Sequence, residues 1–212
     1  MAISLRSRVL VASCLALGIL VAGCSGSAGG SGSGSQSTPS SGGSASNSSS
    51  AGGGAGSSDL GTTVTLTPST AQVDMPSQPQ PQQSQKTVAG QNVMTTLYTS
   101  VSSDQVYMYE VTVAAMPPAL QSAVAGNETA TYDNAVSGFM NSASVSNYSK
   151  NSGTFQGVPS ESASGKASDG SGTVDMTVFY KENDLFVVMV GSNGPNPDSK
   201  FAAFTATFRF TS

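Results

Sequence analysis

The chain has 212 residues, only 9% of them charged, and a formal net charge of −4. It has no histidine, the commonest general base, and its two cysteines, Cys14 and Cys24, both lie near the N-terminus, so a domain beyond them has no thiol for a disulfide, a zinc–thiolate site or a nucleophile. Lys86, Lys150, Lys166, Lys181, Lys200 and Arg209 stand singly, which argues against nucleic-acid binding, since phosphate contacts need clustered cations.

Met1 to Arg8 carries Arg6 and Arg8, and Val9 to Val21 is a nearly continuous apolar run followed by small residues. That is the pattern of a signal peptide, and the run is shorter than the roughly 20 residues a membrane-spanning helix needs. Its end, Leu20-Val21-Ala22-Gly23-Cys24, resembles the lipobox of bacterial lipoprotein signal peptides. The resemblance implies cleavage after Gly23, lipidation of Cys24 and an extracytoplasmic protein anchored to the cell membrane through that residue. A plain secretory signal cut after Ala22 or Gly23 is the rival reading. Residues 1–23 are thus read as signal peptide. Loss of both arginines leaves six cations against twelve acids, a charge of −6.

Residues 24–58 are the lipidated cysteine and a linker of Gly, Ser and Ala, too poor in apolar side chains to offset the entropy of ordering. Such a leash reaches roughly 30–35 Å on average. Every phenylalanine and tyrosine falls in residues 59–212, which are expected to form one globular α+β domain.

Within that domain, Thr63 to Leu66 and Ala71 to Met75 alternate as strands around a turn at Thr67–Thr70. Pro79 and Pro81, set among glutamines, are expected in an extended loop. Val93, Thr95, Leu97, Thr99 and Val101 share one face of a strand by period two. After a turn at Ser102–Asp104, a long strand from Val106 to Met116 places Tyr107, Tyr109, Val111 and Val113 on one face, with Glu110 and Thr112 on the other. Ala119 to Ser144 reads as helical, with an apolar stripe at Tyr132, Ala135, Val136, Phe139 and Met140 and Thr131 as a candidate cap.

Ser144 to Phe155 is expected as a strand, Gly157-Val158-Pro159 as a corner and Ser160 to Ala167 as another strand. A turn at Asp169–Gly172 leads into Thr173 to Tyr180, with Val174, Met176, Val178 and Tyr180 on one face. Leu185 to Val190 is apolar on both faces, which predicts a central strand covered on both sides. Phe201, Phe204 and Phe208 recur at helical spacing in the last segment, predicting a helix from about Asp198 to Ala206.

The order of these elements, with Gln156-Gly157-Val158-Pro159-Ser160-Glu161-Ser162, Phe201…Phe204…Phe208-Arg209 and Val73-Asp74-Met75-Pro76, resembles bacterial proteins of the Mog1/PsbP-like fold, among them actinobacterial envelope lipoproteins. The resemblance implies an antiparallel β-sheet flanked by helices. It carries no shared catalytic residues, and a fold transfers no activity by itself.

The residue inventory points to a non-enzymatic binding or adaptor module of the envelope, with an envelope protein as partner and neither cofactor nor metal. A carrier of a small apolar or lipidic ligand is the first alternative, with Tyr107, Tyr109, Phe139 and Phe204 as candidate lining. A hydrolase using Glu110 or Asp175, each on the polar side of its strand, is the second.

Overall fold

The computed structural model describes residues 59–211. The signal peptide, Gly23, Cys24, the linker to residue 58 and Ser212 lie outside the described residues. Among those described, no helix is long and apolar enough to cross a membrane.

The described residues form ten strands and three helices: β1 (Thr62–Thr65), β2 (Ala71–Met75), β3 (Gln82–Val88), β4 (Gln91–Val101), β5 (Tyr107–Ala115), α1 (Pro118–Ala125), α2 (Glu128–Ser142), β6 (Val145–Phe155), β7 (Val158–Ala167), β8 (Thr173–Lys181), β9 (Asp184–Ser192), α3 (Asp198–Ala206) and β10 (Arg209–Phe210). Seven strands form one antiparallel sheet in the order β3-β4-β5-β9-β8-β7-β6, and β1-β2-β10 form a second, small one. The architecture is α+β.

Three hairpins of the large sheet close with two residues at positive φ, Ala89-Gly90, Gln156-Gly157 and Glu182-Asn183. This is the geometry whose twist matches that of the flanking strands, and glycine or asparagine at the second position adopts it at little steric cost. Register follows: Phe155 faces Val158, and Lys181 faces Asp184. The fully apolar run of β9 lies fourth of seven in the sheet and is buried throughout, as its composition predicts.

Each face of the large sheet has its own core. On one, Tyr132, Val136, Phe139 and Met140 of α2 belong to the same cluster as Val174, Met176 and Val178 of β8 and Leu185, Val187 and Met189 of β9. The Tyr132 hydroxyl accepts the Tyr180 amide at 2.9 Å, fixing where α2 crosses β8. On the other face, the small sheet and α3 cover Tyr109, Val111 and Val113 of β5 and Val188 and Val190 of β9. Phe179 and Phe186 stack at 5.0 Å, and Phe208 meets both edge-on. The T-shaped contact of Tyr109 with Phe204, at 5.2 Å, holds α3 against the sheet.

Three expectations change. The glutamine-rich stretch after Pro81 is not loop but the edge strand β3, whose polar, mostly exposed side chains leave no period-two signal. The helical segment is two helices, and Thr131 is a buried residue inside α2 rather than its cap, a position held by Asn127. Glu110 does face away from Tyr109, yet that face is not solvated: Glu110 is 1% exposed. The last helix ends at Ala206, as expected, and beyond it Arg209 and Phe210 pair with β2, where Arg209 bridges to Asp74 at 3.3 Å.

Candidate ligand cleft

The structure does not bring the candidate residues into one site. Tyr109 and Phe204 pack together on the face covered by α3, with Tyr107 at the edge of the same cluster. Phe139 belongs to the core on the opposite face. These four side chains therefore line no common cavity. Glu110 and Asp175 are likewise separated by the sheet. The register sets Glu110 beside Met189, on the α2 side, and Asp175 beside Val190, on the α3 side.

Asp175 does meet a second carboxylate, Asp198, in an open cleft of about 290 Å³ between α3 and the β6–β8 end of the sheet. Two rows of side chains form its floor. Ser149, Ser164 and Asp175 are cross-strand partners on β6, β7 and β8, and Asn151 and Ser162 form the next row on the same face, which Thr177 continues on β8 beyond the lining. Strand spacing of about 4.8 Å makes this floor about 10 Å wide. The first turn of α3 supplies Asp198 and, three residues on, Phe201, a spacing that sets both on one side of a helix.

The approach to α3 fixes that wall. The Ser192 hydroxyl donates to the Pro195 carbonyl. The Asn196 side-chain amide donates to Asp198 Oδ2 at 2.8 Å, and its carbonyl accepts the Asp198 amide at 3.2 Å. Lys200, two residues along, pairs with Asp59 at 3.1 Å.

Asp175 is 3% exposed, and neither of its carboxylate oxygens has a hydrogen-bond partner. Burial pushes its carboxyl up to about 6. The Ser164 hydroxyl tempers that rise without reaching hydrogen-bonding geometry, and the neighbouring Asp198 carboxylate adds to it. Among the described residues, no lysine or arginine forms an ion pair with either acid. The ion pairs between described residues are Lys150–Asp133, Lys200–Asp59 and Arg209–Asp74, and none involves Asp175 or Asp198.

Two of the three serine hydroxyls on the floor have their hydrogens committed. Ser162 donates to Thr177 Oγ1 at 3.2 Å and Ser149 to the Ser164 carbonyl at 3.3 Å. What these hydroxyls can offer a ligand is lone pairs. Among the described residues, no three Asp, Glu, Cys or His side chains converge as metal ligands. The cleft is thus rich in acceptors and negative charge, fitted to a hydrogen-bond donor or a cation.

Sequence reasoning singled out Asp175 but missed Asp198 as its neighbour. Period two in β7 does place Ser160, Ser162 and Ser164 on one face, so half of the floor was readable. That α3 folds back over this end of the sheet was not. No protein-family model matches the chain, and no curated protein matches it.

Proposed function

We propose that the protein is a membrane-anchored extracytoplasmic lipoprotein whose domain, of the Mog1/PsbP-like kind, is a non-enzymatic binding module of the cell envelope. The observation that carries the binding role is Asp175, buried and without a hydrogen-bond partner on the floor of an open cleft. A buried carboxylate without partners costs stability, and a ligand that satisfies it removes that cost. The lipobox at Leu20–Cys24 supports the anchor, and the length of residues 24–58 supports a domain that searches within a few nanometres of the membrane.

A photoreactive residue placed at Asn151, in the cleft, and at Gln83, on the far edge strand, tests the binding role in the producing cell. The expected result is a discrete adduct with an envelope component from Asn151 alone, lost in Asp175→Asn. Equal adducts from both positions, or indifference to Asp175→Asn, overturns it. For the anchor, Cys24→Ala is expected to move the protein from the membrane to the soluble fraction. A Cys24→Ala protein that stays in the membrane fraction contradicts lipidation.

One observation favours a hydrolase as the second reading: a carboxyl raised to about 6 beside another carboxylate is the asymmetry that acid–base pairs use. Turnover of glycoside substrates that depends on both Asp175 and Asp198 would replace the binding reading with this one.

A further inference from the structure

We propose that the Asp175–Asp198 cleft takes an organic cation, a protonated amine on an apolar stem such as a lysine side chain or a free diamine carries. The proposal rests on the binding-module reading and names its ligand class.

Charge is the first argument. Two carboxylates line one cleft, and among the described residues neither is in an ion pair and both oxygens of the buried one lack partners. Lys166 shares the face two residues along β7, opposite Thr173, but is exposed and pairs with neither acid. What the site lacks is positive charge.

Hydrogen-bonding sense is the second. With the Ser149 and Ser162 hydrogens donated into the sheet, these two hydroxyls and the carboxylates present acceptors, beside the Ser164 hydroxyl and the Asn151 amide as donors. An ammonium brings three donors and no acceptor, which matches. A phosphate or carboxylate ligand would meet lone pairs and negative charge.

Size and lining decide between an organic and an inorganic cation. About 290 Å³ is some ten times the roughly 30 Å³ that one water occupies in the liquid, so a bare ion underfills it. Calcium would want six to eight oxygens drawn close around it, and only two carboxylates are offered. Phe201 adds an aromatic side chain to the lining, against which an alkyl stem packs and to which a cation is attracted. An amine on a stem uses each of these features; a metal ion uses one.

Calorimetry on the full-length chain in detergent provides the test, with four probes: cadaverine, Nα-acetyl-lysine amide, its Nε-acetylated form and calcium chloride. Binding of cadaverine or the lysine amide at pH 7.5, with none of the Nε-acetylated form, is expected. Asp175→Asn is expected to weaken it about thirty-fold or more, the lower range for losing a buried charge partner. Asp198→Asn, at an exposed position, serves as the second variant and should weaken binding less. Tighter binding of the lysine amide assigns the amine to a partner polypeptide, and tighter binding of cadaverine to a free diamine. Equal affinity for the Nε-acetylated form, binding unaffected by both variants, or a heat from calcium chloride alone overturns the proposal. If neither amine binds while the Asn151 crosslink still forms, the ligand class falls and the binding module stands; if both fail, both fall.

Discussion

Three tyrosines at the core show how little a buried residue's type says about its contribution. Tyr98 accepts the Thr67 amide at 2.7 Å and shares a hydrogen bond with the Thr67 hydroxyl at 2.9 Å, tying β4 to the β1–β2 turn. Tyr132 accepts the Tyr180 amide. Tyr109, 0% exposed, has no partner for its hydroxyl among the described residues, and burial, reinforced by Asp59, Tyr107 and Asp104, pushes its pKa up to about 12. A desolvated hydroxyl without a partner is a net cost, whereas the ring keeps its contact with Phe204 either way. Tyr109→Phe is therefore expected to stabilise the domain by about 1 kcal/mol and Tyr98→Phe to destabilise it by about 1–2 kcal/mol. Urea midpoints of the two variants check this, and a loss in Tyr109→Phe would mean its hydroxyl is satisfied after all. The sequence placed Tyr109 and Tyr132 on faces that prove to be buried, because burial follows period, whereas Tyr98 lies on the face of β4 opposite the one read from it. Which hydroxyl finds a partner depends on a turn or a strand distant in sequence, and period carries no record of that.

At the scale of elements, legibility followed hydrophobic contrast. β9, β8 and the stripe of α2 could be read because apolar residues recur at the period of the structure they form. β3 could not, since Gln82 to Thr87 holds no apolar residue and the strand exists through its hydrogen bonds to β4. The Ser/Gly-rich β6 and β7 are an intermediate case. They alternate small with polar residues, and the small ones let β6 approach closely. Gly165 shows how closely. A Cβ there would lie 2.6 Å from Val145 Cγ1, 2.7 Å from Tyr148 Cβ and 3.1 Å from Tyr148 Cα. Val145 could rotate away, but the backbone of β6 at Tyr148 cannot move without disturbing the Ser149–Ser164 and Asn151–Ser162 rows that floor the cleft. Gly165→Ala is expected to cost about 1–3 kcal/mol, in the range of core overpacking, and to weaken ligand binding at the cleft along with stability. Gly153→Ala, where nothing lies within 4 Å, is the control and should move neither. Equal thermal midpoints for the two variants would show that β6 yields more readily than its packing implies.

For the whole molecule, the buried acids set an unusual response to pH. Asp175 and Asp184, 3% and 7% exposed, are both pushed up to about 6, first by burial and then by a neighbouring acid, Asp198 for one and Glu182 for the other. In the unfolded chain both titrate near the ordinary 3.8. Between pH 4 and 6 the folded state therefore holds protons that the unfolded state has released. More protons bound to the folded state means that stability falls as pH rises through this window, by up to about 1.4 kcal/mol per pH unit for each proton. Below the window both groups are protonated in either state and the cost vanishes; above it the cost is fully present. Asp104 has the opposite sign, since hydrogen bonds from the Ser102 hydroxyl and the Val106 amide lower its pKa. It is exposed, however, and its contribution changes only below the window. Urea midpoints are thus expected to be higher at pH 4.5 than at pH 7.5, against the usual trend of acid destabilisation. The Asp175→Asn/Asp184→Asn double variant should flatten the curve by raising its neutral end. A curve in the unaltered chain that climbs from pH 4.5 to 7.5 would refute the prediction. Asp175→Asn alone separates function from stability. If the cleft binds an amine, that substitution makes the domain more stable at neutral pH and a poorer binder, so a carboxylate that weakens the fold is kept for what it holds.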